Sequence, residues 1–271
     1  MKPGQLAPSL DQVQRTLEVE ATYTLARLKV LERISGNPIG VAYREFADGA
    51  VALMARNLPS PSFNSVVGLR TGLAPHIAPL VAWYRDNGVK GRFEVVPGYC
   101  DTEICCELAR LGYYQSGFHL SLIGEPDVAD GADGSAVEPV TDAAIMEDYL
   151  EAYVAGWQIP EAQHRQFKSN VRPWWEQPGW SLYLARVDGR PAASAILFVR
   201  RNAAYLADAA TDPQYRGRGL QTALLRRRIA DASSAGVDFV CSGAAYLSAS
   251  HRNMERVGLR IQFVRAIWTA L

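Results

Sequence analysis

The stretch DPQYRGRGLQTALLRRR, residues 212–228, decides how the rest of this chain is interpreted. It places Gly217 and Gly219 where a helical pattern begins, and Arg216 and Arg218 flank them. Glycine in the first turn of a helix costs about 0.5–1 kcal/mol relative to alanine, so the pair needs a compensating role. A loop that enters a helix leaves the first backbone N–H groups unpaired, and the helix dipole adds partial positive charge. The stretch therefore predicts a phosphate or pyrophosphate site.

Other phosphate-binding motifs are absent from the sequence. It contains no GxxxxGK[ST] stretch of the kind that holds nucleoside triphosphates, and the dinucleotide fingerprint GxGxxG fails because Thr222 stands at the third glycine position. No acidic residue stands suitably on a second parallel strand. A purely structural tight turn remains an alternative, although it explains one glycine better than two.

Composition limits the class of protein. Of the 271 residues, 48% are hydrophobic and 21% are charged, which is ordinary for a globular protein. The 28 basic residues balance 28 acidic ones, so no global field favours nucleic acid or an anionic membrane. No apolar run approaches the roughly 20 residues that span a bilayer, and the N-terminus lacks the apolar stretch of a signal peptide. We expect a cytoplasmic protein that binds neither nucleic acid nor membrane.

The four cysteines show no spacing typical of zinc, so the sequence predicts no metal site. Cys105 and Cys106 are neighbours in a helix-like stretch, and we expect them to be small buried residues rather than a disulfide. Cys241 lies in an apolar run without a histidine placed to activate it, which favours a core position over a nucleophile.

The chain divides near its middle into two halves of similar design. Residues 124–136, GEPDVADGADGSA, have the composition of a linker and separate residues 1–123 from 137–271. Three pairs of glycines stand at near-constant offsets of 147 (219−72), 148 (236−88) and 146 (258−112); the first pair opens matching predicted helices, and the other two pairs close matching predicted helices. A constant offset indicates duplication, whereas the alternative is that any α/β chain repeats such units.

The periodicity of the two halves predicts a mixed α/β (α+β) fold. In the second half, WSLYLARVDGRPAASAILFVRRNAAYLADAAT predicts a three-stranded antiparallel meander with a strong hairpin signal at Asp188-Gly189. The phosphate-binding stretch, a helix, the strand DFVCSGA, a second helix and a last strand follow. Each half is expected to form a mixed, mostly antiparallel sheet flanked by helices.

These residues resemble the GNAT superfamily of N-acetyltransferases. QYRGRGL, with Gln214, Gly217 and Gly219, matches the acetyl-coenzyme A motif Q/R-x-x-G-x-G/A of that superfamily. RNMERVGL is similar to its closing helix, although Leu259 replaces the usual phenylalanine. The corresponding VVGLRTGLAPH of the first half lacks the Gln-x-x-Gly core. The whole chain therefore resembles tandem GNAT proteins with one intact and one degenerate domain.

The resemblance implies that acetyl-CoA is the cosubstrate and that an amine of a small molecule or peptide accepts the acetyl group. It implies a gap between two splayed strands for the thioester, backbone pairing of the first of them with pantetheine, and a loop that holds pyrophosphate. Arg226–Arg228 would reach the adenosine 3′-phosphate or form a solvated helix face. The implied cofactor-binding residues are Ala209, Ala210, Thr211, Arg216, Gly217, Arg218, Gly219, Leu220, Gln221, Thr222, Ser250 and Asn253. For Ser250 and Asn253 the alternative is helix capping and solvation.

Catalytic groups are less well defined by the sequence. Many family members carry a tyrosine four residues before the closing glycine to protonate the thiolate, and here Met254 stands there. Tyr246 is a substitute acid or a packing residue. Asp208 and Tyr205 lie on opposite faces of the central strand, so at most one faces the substrate. An aspartate in an apolar strand favours Asp208 as the base, and a buried salt bridge is the alternative explanation.

The acceptor and the oligomeric state are left open by the sequence. His164 and His251 lie in polar helical surroundings, and we expect both on the surface. Trp157, Trp174 and Trp175 predict an aromatic wall for the acceptor or a small core. The interpretation is an N-acetyltransferase, monomeric or homodimeric, and the alternative is a non-catalytic acyl-CoA-binding sensor or interaction protein.

Overall fold

Strands provide the framework of this chain in the computed structural model, which describes residues 9–47, 49–58, 60–126 and 137–271. The chain forms two units. The N-terminal unit extends to Ser121 and takes in Ile261–Leu271, and the C-terminal unit comprises Leu122–Arg260. Each unit is a mixed sheet with helices, which confirms the predicted fold class. Of the predicted linker 124–136, residues 127–136 lie outside the described part of the chain.

In the N-terminal unit, helix α1 packs on the first strands, and two further helices follow. The helices are α1 (Leu10–Glu32), α2 (Ala74–Asp86) and α3 (Thr102–Arg110). The strands are β1 (Val41–Glu45), β2 (Val51–Ala55), β3 (Ser65–Val67), β4 (Arg92–Val95), β5 (Tyr113–Gly124) and β11 (Arg260–Ala270). Their order is β1-β2-β3-β4-β11-β5, with β3 and β4 parallel. Phe93 of β4 packs edge-on against Tyr84 and Tyr113 in the core on the side of α2 and α3.

The C-terminal unit carries the predicted meander. Its strands are β6 (Val137–Pro139), β7 (Trp180–Val187), β8 (Arg190–Arg200), β9 (Ala203–Thr211) and β10 (Phe239–Ala244). Its helices are α4 (Ala143–Gly156), α5 (His164–Val171), α6 (Leu220–Ser234) and α7 (Ala249–Arg256). The strand order is β6-β7-β8-β9-β10, antiparallel except for the β9–β10 pair. Asp188 and Gly189 both have positive φ, as a tight two-residue hairpin turn requires.

The matching glycines occupy similar positions in the two units, although Gly219 is the N-cap of α6 and Gly72 precedes Leu73, the N-cap of α2. Gly72 and Gly219 precede α2 and α6 with φ of 90° and 79°. The glycines that follow the matching helices also lie in the left-handed region, where a residue without Cβ is favoured. They are Gly88, Gly112, Gly236 and Gly258. The sequence repeat therefore has a conformational basis.

The last strand differs from the predicted domain range 137–271, because residues 261–271 group with the N-terminal unit. There β11 pairs antiparallel with β4, and Ala266 lies opposite Val95. The buried guanidinium of Arg265 forms ion pairs with Glu94 of β4, at 2.7 Å, and with Glu20 of α1. These pairs join residues more than 170 positions apart, so no local pattern indicates them.

Candidate cofactor and catalytic site

The site begins where β9 and β10 separate. The two strands pair from Ala203 with Phe239 to Tyr205 with Cys241, whereas β9 continues to Thr211. Ser242 Oγ then donates a 2.7 Å hydrogen bond to the carbonyl of Leu206, which closes the fork at its base. Beyond this bond, β9 pairs only with β8 among the described residues. Its other edge over Ala209–Thr211 therefore has no partner strand in the described part of the chain, although the carbonyl of Thr211 accepts a 3.4 Å hydrogen bond from Arg216 Nε.

A β-bulge interrupts β9 at the predicted base. Ile196 of β8 pairs with Ala207 and Ser194 pairs with Ala210, so Asp208 and Ala209 together oppose one residue of β8. Asp208 has φ of 43°, in the left-handed region that non-glycine residues rarely adopt. A bulge re-aims the backbone of its strand, and strained backbone is typical of functional sites. The Asp208 side chain is half-buried, with a fully buried Oδ2 atom.

The loop that follows, here called the anion loop (residues 216–222), has the conformation that the two glycines allow. Gly217 and Gly219 have φ of 78° and 79°, and Gly219 is the N-cap of α6. A Cβ on either glycine would meet nothing within 4 Å, so open space adjoins both. None of the backbone N–H groups of residues 217–222 has a hydrogen-bond partner among the described residues. Free amides at a helix N-terminus fit a polyanion such as a pyrophosphate.

A polar network links the anion loop with α7. Gln221 Nε2 donates to Ser250 Oγ at 2.7 Å, and Asn253 Nδ2 donates to Gln221 Oε1 at 2.6 Å. Arg256 donates in turn to Asn253 Oδ1 at 2.6 Å. The N-cap of α7 is Ser248, which excludes the capping role considered for Ser250 and Asn253. The network brings both predicted residues to the loop, where they fix the side chain of Gln221.

The surroundings of the proton-donor candidates differ from the sequence expectation. Met254 is buried, and the phenol of Tyr246 is on the surface with 64% of the residue exposed. The Tyr246 ring lies 5.5 Å from the imidazole of His251, centroid to centroid. The expectation of a surface His251 is wrong, because the chain folds over it. The residue is 3% exposed, and its Nδ1 accepts the N–H of Leu247 at 3.2 Å.

The three predicted tryptophans have separate roles. Trp174 is buried against Tyr153 and Trp180, and Trp175 Nε1 donates to the carbonyl of Val140 at 3.0 Å. Trp174 and Trp175 therefore fit the predicted alternative of a small core rather than an acceptor wall. Trp157 is 45% exposed and follows the last residue of α4.

The end of α4 lies directly against β9. A Cβ built on Gly156 would lie 2.8 Å from the Cβ of Ala210, a distance that side chains do not tolerate. This close approach puts the exposed Trp157 next to the strand that carries the bulge. Trp157 is therefore the exposed member of the predicted tryptophan set, and it follows the helix end that contacts this strand.

The arginine run 226–228 is not the solvated face that the sequence allowed. Arg228 is wholly buried, and Arg227 bonds the carboxylate of Asp231 and the carbonyl of Val137. Helical spacing could have predicted the burial of Arg228. It follows the core residues Leu224 and Leu225 by four and three positions, which puts all three on one face of α6.

Cys241, Cys106 and His164 differ in their exposure to solvent. Cys241 is buried in the core as expected, whereas Cys106 is exposed, so the expectation of a buried residue is wrong there. Cys106 faces solvent because its helix buries Ile104 and Leu108 instead. His164 is half-buried, and its Nε2 lies 2.8 Å from the carbonyl of Ile159.

The comparisons with known proteins agree with this geometry. Residues 128–247 match the family model described as the acetyltransferase (GNAT) domain. The match covers less than half of the chain, and it makes this stretch similar to GNAT acetyltransferases. No curated protein sequence matches the chain.

Solved GNAT structures share the fold along nearly the whole chain. A GCN5-related N-acetyltransferase from Kribbella flavida is 15% identical with a TM-score of 0.62, covering 92% of this chain and 95% of that one. A tandem GNAT protein from the clavulanic acid biosynthesis pathway is 15% identical with a TM-score of 0.60, covering 98% and 96%. A GCN5-related N-acetyltransferase from Sphaerobacter thermophilus is 15% identical with a TM-score of 0.58, covering 97% and 93%. At this identity the likeness concerns the fold.

The described residues contain neither a membrane-spanning helix nor a cluster of metal-binding side chains. No helix within residues 9–126 or 137–271 is both long and apolar enough to cross a membrane. In the same part of the chain, no three His, Cys, Asp or Glu side chains gather in a way that suits a metal ion.

Proposed function

We propose that the C-terminal unit transfers an acetyl group from acetyl-CoA to a primary amine of a small molecule or peptide. The observation that carries the proposal is the row of backbone amides at residues 217–222 that have no hydrogen-bond partner in the described part of the chain, next to the fork between β9 and β10. When bound, acetyl-CoA supplies the activated acetyl group as a thioester. The anion loop would hold the pyrophosphate, with Arg216 and Arg218 beside it, and Ala209–Thr211 would pair with the pantetheine arm.

Orientation and electrostatics would supply most of the catalysis. Attack of an amine on a thioester needs a neutral amine near the carbonyl, a donor for the developing oxyanion and a proton for the departing thiolate. The backbone N–H groups at the bulge, next to Ala209, are suited to the oxyanion. Asp208, with one oxygen buried at the same bulge, is the candidate base for the ammonium proton. Tyr246 is the candidate acid, since Met254 has no proton to give.

A second candidate function is a non-catalytic acyl-CoA-binding protein. Two observations favour it: the acid position holds Met254, which is buried, and the substitute acid Tyr246 is a surface residue that is 64% exposed. Such a protein would keep the anion loop and bind acetyl-CoA without turnover.

The test that separates these functions is thiol release from acetyl-CoA across a panel of small-molecule and peptide amines, with binding measured in parallel by calorimetry. The enzyme is supported by release that depends on one class of amine. Saturable acetyl-CoA binding with no release on any amine supports the sensor. Asp208→Asn should lower turnover most at low pH, where fewer amines are neutral, and a folded variant with the wild-type pH profile rejects Asp208 as the base.

A further inference from the structure

Arg228 is the most deeply buried charged side chain near the proposed site. It lies on α6 with 0% exposure. Its Nη1 donates to the carbonyls of Ile196, at 2.9 Å, and of Ala207, at 3.1 Å. Its Nε donates to the carbonyl of Leu224, one turn earlier on its own helix, at 3.0 Å. One side chain thus joins α6 to both strands of the β8–β9 pair.

The two strand carbonyls lie at the base of the bulge. Ile196 and Ala207 are paired across β8 and β9, and the register shifts immediately after them. Asp208, with its left-handed φ, is the next residue of β9. Two carbonyls held by one planar guanidinium are fixed relative to each other, since the donors of arginine have rigid geometry. Arg228 therefore restrains the strand at the point where its direction changes.

The same helix begins at the anion loop. Leu220, the first residue of α6, is eight positions before Arg228, or about 12 Å along the helix axis. The guanidinium therefore sets the bulge of β9 against the helix whose N-terminus would hold the pyrophosphate. At offsets of 147 and 148, the corresponding positions of α2 are Val81 and Leu80, which are apolar. The arginine is present only in the unit that carries the open loop.

We propose that Arg228 is a positioning residue for acetyl transfer. It holds the bulge so that the backbone at Asp208 and Ala209 keeps the orientation that receives the acetyl carbonyl. This inference rests on the proposed function. A merely structural arginine would affect the stability of the fold, whereas a positioning residue changes turnover and the binding of the acetyl group in molecules that remain folded.

The experiment compares Arg228→Met and Arg228→Lys with the control Arg186→Met. Arg186 lies on β7 of the same unit, separated from β9 by β8, and bonds Glu138 and Asp148. For each protein, the melting temperature, the Kd values of CoA and acetyl-CoA, and kcat with the best amine are measured. Methionine keeps the length of the side chain, and lysine keeps its charge but not the planar fork.

We expect Arg228→Met to bind CoA within about threefold of wild type, since the anion loop is intact, and to lose about 10-fold in acetyl-CoA affinity and 10- to 100-fold in kcat. Arg228→Lys should show the same losses in smaller measure. Arg186→Met should melt earlier with unchanged kcat. Because Arg228→Met removes buried hydrogen bonds and can fail to fold, Arg228→Lys then decides the question.

The inference is overturned if a folded Arg228→Lys or Arg228→Met protein keeps the wild-type kcat and the wild-type ratio of CoA to acetyl-CoA affinity. It is also overturned if both affinities fall equally. Should the wild-type protein bind neither CoA nor acetyl-CoA, the proposed function fails and takes this inference with it. Should wild type bind acetyl-CoA without turnover, the proposed transfer fails, and a selective loss of acetyl-CoA affinity in the variants supports only the part of the inference in which Arg228 holds the bulge that receives the acetyl carbonyl.

Discussion

The two loops that lead into α2 and α6 use their backbone amides in opposite ways. In the anion loop, the N–H groups of residues 217–222 are free among the described residues. In the counterpart loop (residues 69–75), the N–H of Thr71 donates to the carbonyl of Tyr99 at 3.1 Å. The N–H of Gly72 donates to Asp101 Oδ2 at 3.0 Å. The first loop is open to an anion, and the second is closed by groups of its own unit.

One side chain explains much of the difference. Asp101 and Ser248 are N-caps of α3 and α7, and their offset of 147 (248−101) equals that of Gly72 and Gly219 (219−72). The aspartate has two oxygens, and Oδ1 caps Ile104 at 3.1 Å while Oδ2 reaches Gly72. The serine has one oxygen, and it caps His251 at 3.1 Å. A carboxylate at this position fills the place of an anion, whereas a hydroxyl leaves it open.

The buried charged residues of the N-terminal unit form ion pairs with one another. Arg265 lies between Glu20 and Glu94, all three buried. Burial outweighs Arg265 at Glu20 and raises the pKa of that carboxyl. At Glu94 burial acts in the same direction, but Arg265 and Arg92 together hold the pKa below its usual range. Paired charges of this kind stabilise one arrangement of a unit rather than bind a ligand.

The largest expected effect comes from matched changes in the two loops. Gly219→Asp puts a carboxylate where the pyrophosphate would lie, and acetyl-CoA affinity should fall about 100-fold or more. Gly72→Asp should leave affinity unchanged, although both glycines have positive φ and both variants should melt earlier. Calorimetry with melting curves checks the pair. A folded Gly219→Asp protein with wild-type affinity contradicts the site.

The next effect separates two tyrosines at matching positions. Tyr246 and Tyr99 follow β10 and β4 at the same offset of 147 (246−99). If Tyr246 protonates the thiolate, Tyr246→Phe should lower kcat about 100-fold with acetyl-CoA binding nearly constant. Tyr99→Phe should leave kcat unchanged. Steady-state kinetics on both variants decides this, and a wild-type kcat for Tyr246→Phe shows that the thiolate leaves without that phenol.

A smaller effect tests the role of the N-caps directly. Ser248→Asp keeps a good cap for α7 and adds a carboxylate oxygen within the reach that Asp101 shows, so acetyl-CoA affinity should fall about 10-fold. Ser248→Ala removes the cap without a charge and should lower the melting temperature by about 2–4 °C at near wild-type affinity. Equal affinity for Ser248→Asp and wild type removes this explanation of the difference.

The smallest effect concerns the pH dependence of stability in the N-terminal unit. Burial, with help from the charge of Arg265, lowers the pKa of His119 to about 4. Its unfolded value is about 6.5, so between these values the unfolded chain binds more protons. The contribution of neutral His119 to the free energy of unfolding is therefore complete above about pH 6.5, and it is lost as the pH falls towards 4. His119→Gln should flatten the melting temperature over this window, and an unchanged slope refutes it.

The sequence predicted those parts of the structure that local backbone chemistry determines. Gly217 and Gly219 indicated the loop before α6, and Asp188-Gly189 indicated the hairpin within the meander. Each signal lies within a few residues of the feature that it produces, which is why it can be interpreted without the fold.

Features that depend on distant residues could not be predicted. Arg228 reaches carbonyls on two strands, the Asp101 carboxylate bonds an amide 29 residues away, and Arg265 pairs with Glu20 at a separation of 245. From sequence alone, a charged residue is predicted to be exposed, because the partners that would allow its burial are not known. The bulge at Asp208 could not be predicted either. Only the register of β8 against β9 shows that β9 has an extra residue there.

The number of acetyl-CoA molecules that bind one chain tests the central claim most directly. Titration calorimetry on the full chain, repeated with Gly219→Asp and Gly72→Asp, measures it. The account predicts one site per chain, lost in Gly219→Asp and kept in Gly72→Asp. Two sites per chain, or one site that survives Gly219→Asp and disappears in Gly72→Asp, would contradict the assignment of the open loop as the cofactor site.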